Sequence, residues 1–337
     1  MKHPLKRIGV LTSGGDAPGM NAAVRAVVRT AMDQNIECIG IRRGWNGLIN
    51  SDFVPLTSSS VSHTIDRGGT MLYTARSKEF MDTEGRAKAL ATCKLLGLDG
   101  IVAIGGDGTF RGALALSRQA AEAGMDLQVV GVPATIDNDI GCSNYTIGFD
   151  TACNTAIDCI DKLRDTMQSH ERCSVVEVMG RHAGYLALYV GIAVGATAVL
   201  IPEQKVDFER DIVEKIRRAR LAGSTHYMVV VAEGAGSAVE IGKGIYEAIG
   251  IEPRVTVLGH IQRGGSPTAR DRETASRMAY YAVKSLAEHK GNRVIVTKDG
   301  RMTDIDMEEA LQMVKPFPME RYEILEALTT TNSHPRK

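Results

Sequence analysis

The chain has 337 residues, and 40 Lys and Arg balance 40 Asp and Glu to a formal net charge of zero. Hydrophobic residues make up 44% and charged residues 24%, an ordinary globular composition long enough for two domains. No basic tract stands out to track a phosphate backbone, which argues against nucleic acid as the main partner, while a small phosphorylated ligand needs only a local cluster of cations. Six cysteines, Cys38, Cys93, Cys142, Cys153, Cys159 and Cys173, show no C-x-x-C spacing and are expected as free thiols in a reducing cytoplasm. The start, Met1-Lys2-His3-Pro4, runs straight toward a strand and leaves no room for a targeting segment, so a cytoplasmic location is expected.

In chain order, residues 7–11 read as an apolar strand, Thr12-Ser13-Gly14-Gly15-Asp16-Ala17-Pro18-Gly19 as a glycine loop, and 20–32 as a helix. That order places phosphate at a helix N-terminus. No G-x-x-x-x-G-K-[ST] occurs, so the loop is not a P-loop. A strand over 37–41 precedes a turn at Gly44-Trp45-Asn46-Gly47. The polar segment 57–60 leads to Arg67-Gly68-Gly69-Thr70 and Arg76, where an arginine is either an anion contact or a plain surface cation. A helix over 83–96 leads to the strand Ile101-Val102-Ala103-Ile104 and then Gly105-Gly106-Asp107-Gly108-Thr109. Such glycine amides can cradle phosphate, and Asp107 sits where a hydrated Mg²⁺ would be held beside it.

A helix over 110–123 is followed by a buried strand over 127–132, ended by Pro133, and then Ala134-Thr135-Ile136-Asp137-Asn138-Asp139. Carboxylates this close to a core are costly unless they serve a ligand at the carboxyl end of a strand. The bland alternative is a solvated turn with an Asx cap. Residues 150–167 read as an amphipathic helix with Ala156, Ile160 and Leu163 on one face. Strand 174–178 ends at Met179-Gly180-Arg181-His182. Strands 198–201, 227–232 and 255–258 end at Pro202-Glu203, Glu233-Gly234 and Gly259-His260, with Arg263-Gly264-Gly265 beyond.

The uncharged stretch 183–201 approaches the length of a bilayer span, but its glycines and β-branched end predict a buried helix followed by a strand. A charge-rich helix over 208–221 reads as a solvated face, a long helix over 271–288 precedes a last strand at 293–297, and the tail 329–337 is expected to fray. Strands alternating with helices mean an α/β protein with mostly parallel, doubly wound sheets. The strands are too many for one compact sheet of this length, so two lobes are expected, with a boundary after the Asp139 loop.

Polar groups collect at strand ends: Asp107, Asp137, Asp139, Arg181, Glu233, His260 and Arg263; Arg172 and Arg254 lie at strand starts. Any one of them could be structural, but together they fit phosphoryl transfer, which fixes donor phosphates and Mg²⁺, aligns an acceptor hydroxyl and neutralises the transferring group. The glycine loops at Gly14-Gly15 and 105–108 would hold the donor, Asp107 the Mg²⁺, and Asp137 would accept the hydroxyl proton. Arg172, Arg254 and Arg263 offer guanidinium forks for a phosphate already on the acceptor, and Glu233 could accept hydrogen bonds from sugar hydroxyls.

These residues resemble the bacterial-type ATP-dependent 6-phosphofructokinases from residue 8 to about 318. The motifs that carry the likeness are 9–21, Gly105-Gly106-Asp107-Gly108-Thr109, Thr135-Ile136-Asp137-Asn138-Asp139, Met179-Gly180-Arg181-His182 and Gly259-His260-Ile261-Gln262-Arg263-Gly264-Gly265-Ser266-Pro267. The resemblance implies two Rossmann-like lobes: 1–147 plus about 261–312 for ATP, and about 148–260 plus 313–337 for fructose 6-phosphate. It implies MgATP and D-fructose 6-phosphate giving ADP and fructose 1,6-bisphosphate, in glycolysis. By matching positions, Gly15, Arg76, Ser77, Gly106, Asp107, Gly108 and Thr109 would contact ATP, with Asp107 on Mg²⁺. Asp137 would be the base, with Arg181 also catalytic. Thr135, Met179, Gly180, Arg181, Glu233, His260 and Arg263 would hold the sugar phosphate. Arg172 and Arg254 would reach across an interface, which implies a homotetramer.

The chain departs from the family's pattern at several places. Ala134 stands where ATP-using members have glycine and pyrophosphate-using members lysine, while Gly108 stands where the latter have aspartate. An aspartate there would repel the phosphate chain, so ATP is expected as donor. Arg25, Arg29, Arg164 and His226 match a family effector pocket, but Ser58 replaces an arginine, Thr197 a glutamate, and Ala222 and Ser224 lysines. Losing those charges implies weak or absent ADP activation. The rival readings are a pyrophosphate-dependent phosphofructokinase, another Gly-Gly-Asp-Gly kinase acting on NAD or lipid, and a non-catalytic regulatory subunit that binds sugar phosphate.

Overall fold

The computed structural model describes residues 4–170 and 172–329; residues 330–337 of the tail expected to fray lie outside the described residues. In chain order the elements are β1 (Arg7–Ser13), α1 (Met20–Asp33), β2 (Glu37–Ile41), α2 (Trp45–Ile49), β3 (Phe53–Leu56), α3 (Thr83–Leu96), β4 (Gly100–Gly105), α4 (Asp107–Glu122), β5 (Gln128–Pro133), α5 (Phe149–His170), β6 (Cys173–Val178), α6 (Tyr185–Ala193), β7 (Ala198–Leu200), α7 (Glu214–Leu221), β8 (Tyr227–Ala232), α8 (Ala238–Ile249), β9 (Arg254–Val257), α9 (Ala269–Ala287), β10 (Arg293–Lys298), β11 (Arg301–Asp306), α10 (Met307–Gln312) and α11 (Met319–Thr329).

The chain divides into two units. The first takes the chain up to Thr135, Ile140–Thr151 and Arg263–Lys315, and its seven-stranded sheet runs β11-β10-β5-β4-β1-β2-β3. Strands β2, β1, β4, β5 and β10 are parallel, and the outer strands β3 and β11 are antiparallel. Strands β4 and β5 are buried along their whole length, so they read as unbroken apolar runs rather than alternating ones. The stretch from 140 returns to this unit because Ile147 N donates to Pro133 O and Thr146 Oγ1 to Thr135 O.

The second unit takes Ile136–Asp139, Ala152–Gln262 and the chain from Pro316 on, around a parallel four-stranded sheet ordered β7-β8-β6-β9. Its core gathers Val175, Leu200, Val229 and Val231 from the strands with Ile212, Ile216 and Ile245 from the helices. The uncharged stretch at 183–201 forms the buried helix α6 followed by β7. Among the described residues no helix is long and apolar enough to cross a membrane.

Several local readings are corrected. The glycine turn at 44–47 is the short helix α2, held because Trp45 and Leu48 enter the core and the Trp45 ring stacks on Phe80 at 4.7 Å. Among the described residues the buried indole Nε1 of Trp45 has no hydrogen-bond partner, and a Cβ at Gly112 would approach it to 2.8 Å. The strand at 293–298 is not the last: Asp299 and Gly300, both at positive φ, turn the chain into antiparallel β11. Helix α8 was not expected from a segment carrying Gly242 and Gly244. Both glycines serve packing, since a Cβ would meet Val255 at 2.8 Å and Phe208 at 2.8 Å. The charge-rich helix at 208–221 opens with a π turn at Glu209–Val213 before α7.

Candidate active site

In the first unit, β1 and β4 lie side by side in parallel, with Ser13 opposite Gly105. Their carboxyl ends therefore open together, and each is followed by a helix, the arrangement in which α/β sheets bind ligands. Helix α4 starts at Asp107, earlier than the sequence suggested, with Gly106 as its extended N-cap. Asp107 is thus a first-turn carboxylate, half-buried, and not a loop residue. Thr109 is buried and its Oγ1 donates to Ser13 O at 3.0 Å, which ties the start of α4 to the end of β1. A Cβ at Gly105 would lie 2.3 Å from Ser13 O, so only glycine allows that approach. At Gly106 and Gly108 a Cβ would meet nothing within 4 Å, so the backbone there faces open space. Backbone at a helix N-terminus that opens onto free space suits phosphate oxygens.

Facing β4 across the same strand end is the Gly14-Gly15 turn. Gly14 sits at φ 92 and Gly15 is exposed. The Arg263 guanidinium lies across Gly15: its Nη1 donates to Asp16 O at 3.0 Å and would stand 2.4 Å from a Cβ at Gly15. The segment that carries Arg76 and Ser77 is joined to the turn, since Thr74 Oγ1 donates to Gly14 O at 2.7 Å. Arg76 is exposed, while Ser77 Oγ accepts from Phe80 N and bonds Asn46 Oδ1. Ala134, at the end of β5, is buried, and its N–H donates to Gly105 O at 3.0 Å, so its methyl belongs to the core. Thr135 is half-buried and its carbonyl accepts the Thr146 hydroxyl.

In the second unit, Asp137 is only 3% exposed and the next residue, Asn138, sits in the left-handed region at φ 50. A second turn there is equally constrained. Gly180 has φ 145 and Arg181 φ 55, and non-glycine residues hold such angles only when their surroundings impose them. Glu233, at the end of β8, imposes it: its Oε1 accepts from Gly180 N at 3.2 Å and Arg181 N at 2.6 Å. Gly234 allows the Arg181 carbonyl to come close, because a Cβ would lie 2.3 Å from it. Gln262, fully buried in the short 3₁₀ turn Gly259–Arg263, accepts from Met179 N at 2.9 Å. Met179, Gly180, Arg181, Glu233 and the His260 turn are thus brought together at the carboxyl ends of β6, β8 and β9, with Arg181 and His260 exposed.

Arg172 and Arg254 are not part of that group. They stand at the amino ends of β6 and β9, where Ser174 pairs with Arg254, six residues of strand away from Met179. At the rise of an extended chain that is about 20 Å. Gln262 was missed as a supporting residue; its only signal was an amide inside a turn of exposed polar groups.

Two of the effector candidates, Arg29 and Arg164, bond locally. In the first unit Arg29 Nη2 donates to Ser58 O at 3.3 Å, and Arg25 is half-buried. In the second unit Arg164 donates to Val194 O, and Thr197 exchanges bonds with Met228 through both its hydroxyl and its N–H. His226 is half-buried.

Among the described residues no group of three or more His, Cys, Asp or Glu stands ready to hold a metal. All six cysteines are free, and burial pushes Cys38, Cys93 and Cys173 up to about 12 and Cys142 up to about 11, so these thiols stay protonated.

A family model described as Phosphofructokinase matches residues 7–286. The chain belongs to the phosphofructokinase family. It is 51% identical over 325 residues to an ATP-dependent 6-phosphofructokinase of Clostridium botulinum, covering 96% of this chain and all of that relative. It also matches the structure of phosphofructokinase from Saccharomyces cerevisiae with a TM-score of 0.85 and 32% identity, covering 96% of this chain and 46% of the yeast chain. A pyrophosphate-dependent phosphofructokinase from Marinobacter aquaeolei superposes with a TM-score of 0.85 at 21% identity over 99% of this chain and 94% of its own, which speaks for the fold alone.

Proposed function

We propose that this chain transfers the γ-phosphoryl group of MgATP to the 1-hydroxyl of D-fructose 6-phosphate, giving ADP and fructose 1,6-bisphosphate, a step of glycolysis in the cytoplasm. The observation that carries the reading is the full-length 51% identity to a relative named ATP-dependent 6-phosphofructokinase. The donor preference has its own support. Gly108 faces open space, where the aspartate of pyrophosphate users would sit, and Ala134 turns its methyl into the core.

The roles are those that the family resemblance implies. Gly106 and Gly108, with the Gly14-Gly15 turn, Thr109, Arg76 and Ser77, hold the donor in the first unit. Asp107, in the first turn of α4, would hold Mg²⁺, which neutralises charge on the phosphates when bound. Asp137 accepts the proton of the 1-hydroxyl as its oxygen bonds to the γ-phosphorus and the bond from phosphorus to the β–γ bridging oxygen breaks; the electron pair leaves with ADP. Arg181, whose backbone N–H is held by Glu233, would bring its guanidinium to the transferring group. Thr135, Met179, Gly180, Glu233, His260 and Arg263 hold the sugar phosphate.

The family resemblance implies that Arg172 and Arg254 serve a neighbouring copy's site in a homotetramer, and their position at the far end of their strands from Arg181 agrees with that reading. Strand β9 supports this reading: it is a sheet edge whose Val255 and Val257 are 36% and 54% exposed. The deciding experiment is initial rate with fructose 6-phosphate and Mg²⁺, comparing ATP with pyrophosphate, for wild type and Asp137→Asn. ATP-dependent turnover that collapses in the variant is expected. Turnover with pyrophosphate alone overturns the donor assignment, and none with either leaves a sugar-phosphate-binding subunit.

A further inference from the structure

The segment between Thr70 and Ser77 is bracketed onto the end of β1 by three threonine hydroxyls. Thr12 Oγ1 bonds Thr70 Oγ1 at 2.8 Å and donates to Tyr73 O at 2.9 Å. Thr74 Oγ1 donates to Gly14 O at 2.7 Å. The bracket thus grips the segment on both sides of Tyr73, once before and once inside the glycine turn. Tyr73 itself sits at φ 57, a conformation that a bulky side chain avoids. Its N–H bonds Thr70 O at 3.1 Å, and the adjacent Leu72 O accepts from Arg43 N, another left-handed residue whose guanidinium lies 5.3 Å from the Tyr73 ring centre. Strained backbone of this kind persists only where its surroundings over-determine it, and it marks segments whose exact placement matters. Two residues beyond Thr74 comes Arg76, then Ser77.

We infer that Thr74, with the left-handed Tyr73, is a positioning residue for the donor nucleotide. The hydroxyl locks the Arg76-Ser77 segment to the carbonyl of Gly14, so that the arginine and the glycine turn present one preset surface to the phosphate chain. Neither Thr74 nor Tyr73 needs to touch the nucleotide. Without the hydroxyl, Gly14 O loses its donor and Arg76 is free to move relative to the turn, so ordering it falls to each binding event. The inference rests on the ATP reading proposed above.

The test is calorimetric titration of the full-length enzyme with MgATP in the absence of fructose 6-phosphate, alongside steady-state kinetics, for Thr74→Val, Thr74→Ser and Tyr73→Gly. Valine keeps the shape of threonine and removes only the hydroxyl, so MgATP affinity falls about tenfold, the loss of one well-placed hydrogen bond. The KM for fructose 6-phosphate stays within about twofold on the same reasoning, and Thr74→Ser restores ATP affinity. Tyr73→Gly relieves the backbone, so its thermal midpoint does not fall, yet MgATP binds more weakly. Wild-type affinity for MgATP in both Thr74→Val and Tyr73→Gly overturns the inference. So does a loss in Thr74→Val that lowers the melting midpoint and both substrates' binding together, because a plain scaffold bond would do that. Turnover of wild type with ATP and fructose 6-phosphate is read in the same series, so failure of the functional reading is seen separately from failure of the bracket.

Discussion

The Tyr145 hydroxyl donates to Asp271 Oδ1 over 2.5 Å, inside the first unit. Asp271 is fully buried in the first turn of α9, and it also accepts from Gly148 N at 2.7 Å, Thr151 N at 2.8 Å and the Thr151 hydroxyl. One carboxylate therefore pins the whole 145–151 stretch. Replacing it by Asn turns an acceptor into an amide that faces donors, and Asp271→Asn is expected to cost about 3 kcal/mol in urea unfolding. Burial raises the Asp271 pKa above its ordinary 3.8, more than its hydrogen bonds lower it. The folded chain then holds this proton to higher pH than the unfolded chain, so stability from this group falls as pH rises through the window above 3.8. Asp271→Asn removes that acid-range slope; a pH series of unfolding midpoints reads it directly.

On the proposed donor reading, Gly108 lies beside the phosphates of ATP. A side chain there points into open space, so Gly108→Asp should fold normally while setting a carboxylate against the phosphates. Turnover with ATP is expected to drop by about a hundredfold, consistent with a few kcal/mol of like-charge repulsion. Rates with both donors, and a melting curve showing an intact fold, check it.

ADP should activate weakly or not at all at low fructose 6-phosphate. Thr197 is spent on bonding Met228, and neither Ser58, Ala222 nor Ser224 carries a charge to meet an anion. A titration of ADP against initial rate decides it, and clear activation would falsify the expectation.

Association should depend on the β9 edge. Val257→Lys places a charge on an exposed apolar strand position, a device that blocks edge pairing. Light scattering after gel filtration is expected to show a tetramer for wild type and smaller species for the variant. Activity should fall with assembly if Arg172 and Arg254 work in a neighbouring copy.

Most of the parallel strands and the glycine turns after them were legible because buried parallel strands appear as apolar runs and because Gly105, Gly106 and Gly108 cluster at a strand end. The start of α4 was not, since Gly108 lowers helix propensity in the very turn that presents Asp107. Helix α8 was hidden for a related reason, its glycines being chosen for contact with Phe208 and Val255. The support beneath the site was least legible. Gln262 reaches Met179 across 83 positions, and Asp271 reaches Gly148 across 123, and no local pattern announces either pairing. The placement of Arg172 and Arg254 at strand starts, away from Arg181, was by contrast legible, and the strand register agrees with it.

Trp45 is the chain's single tryptophan, buried and stacked on Phe80, whose N–H bonds the Ser77 hydroxyl. All indole emission therefore comes from one known place, a buried position stacked on Phe80, three residues after Ser77. The native spectrum should be blue-shifted, and its intensity should respond when that segment is engaged. The protein thus carries its own optical gauge, and nucleotide binding can be followed in the untagged enzyme, in real time, without a label.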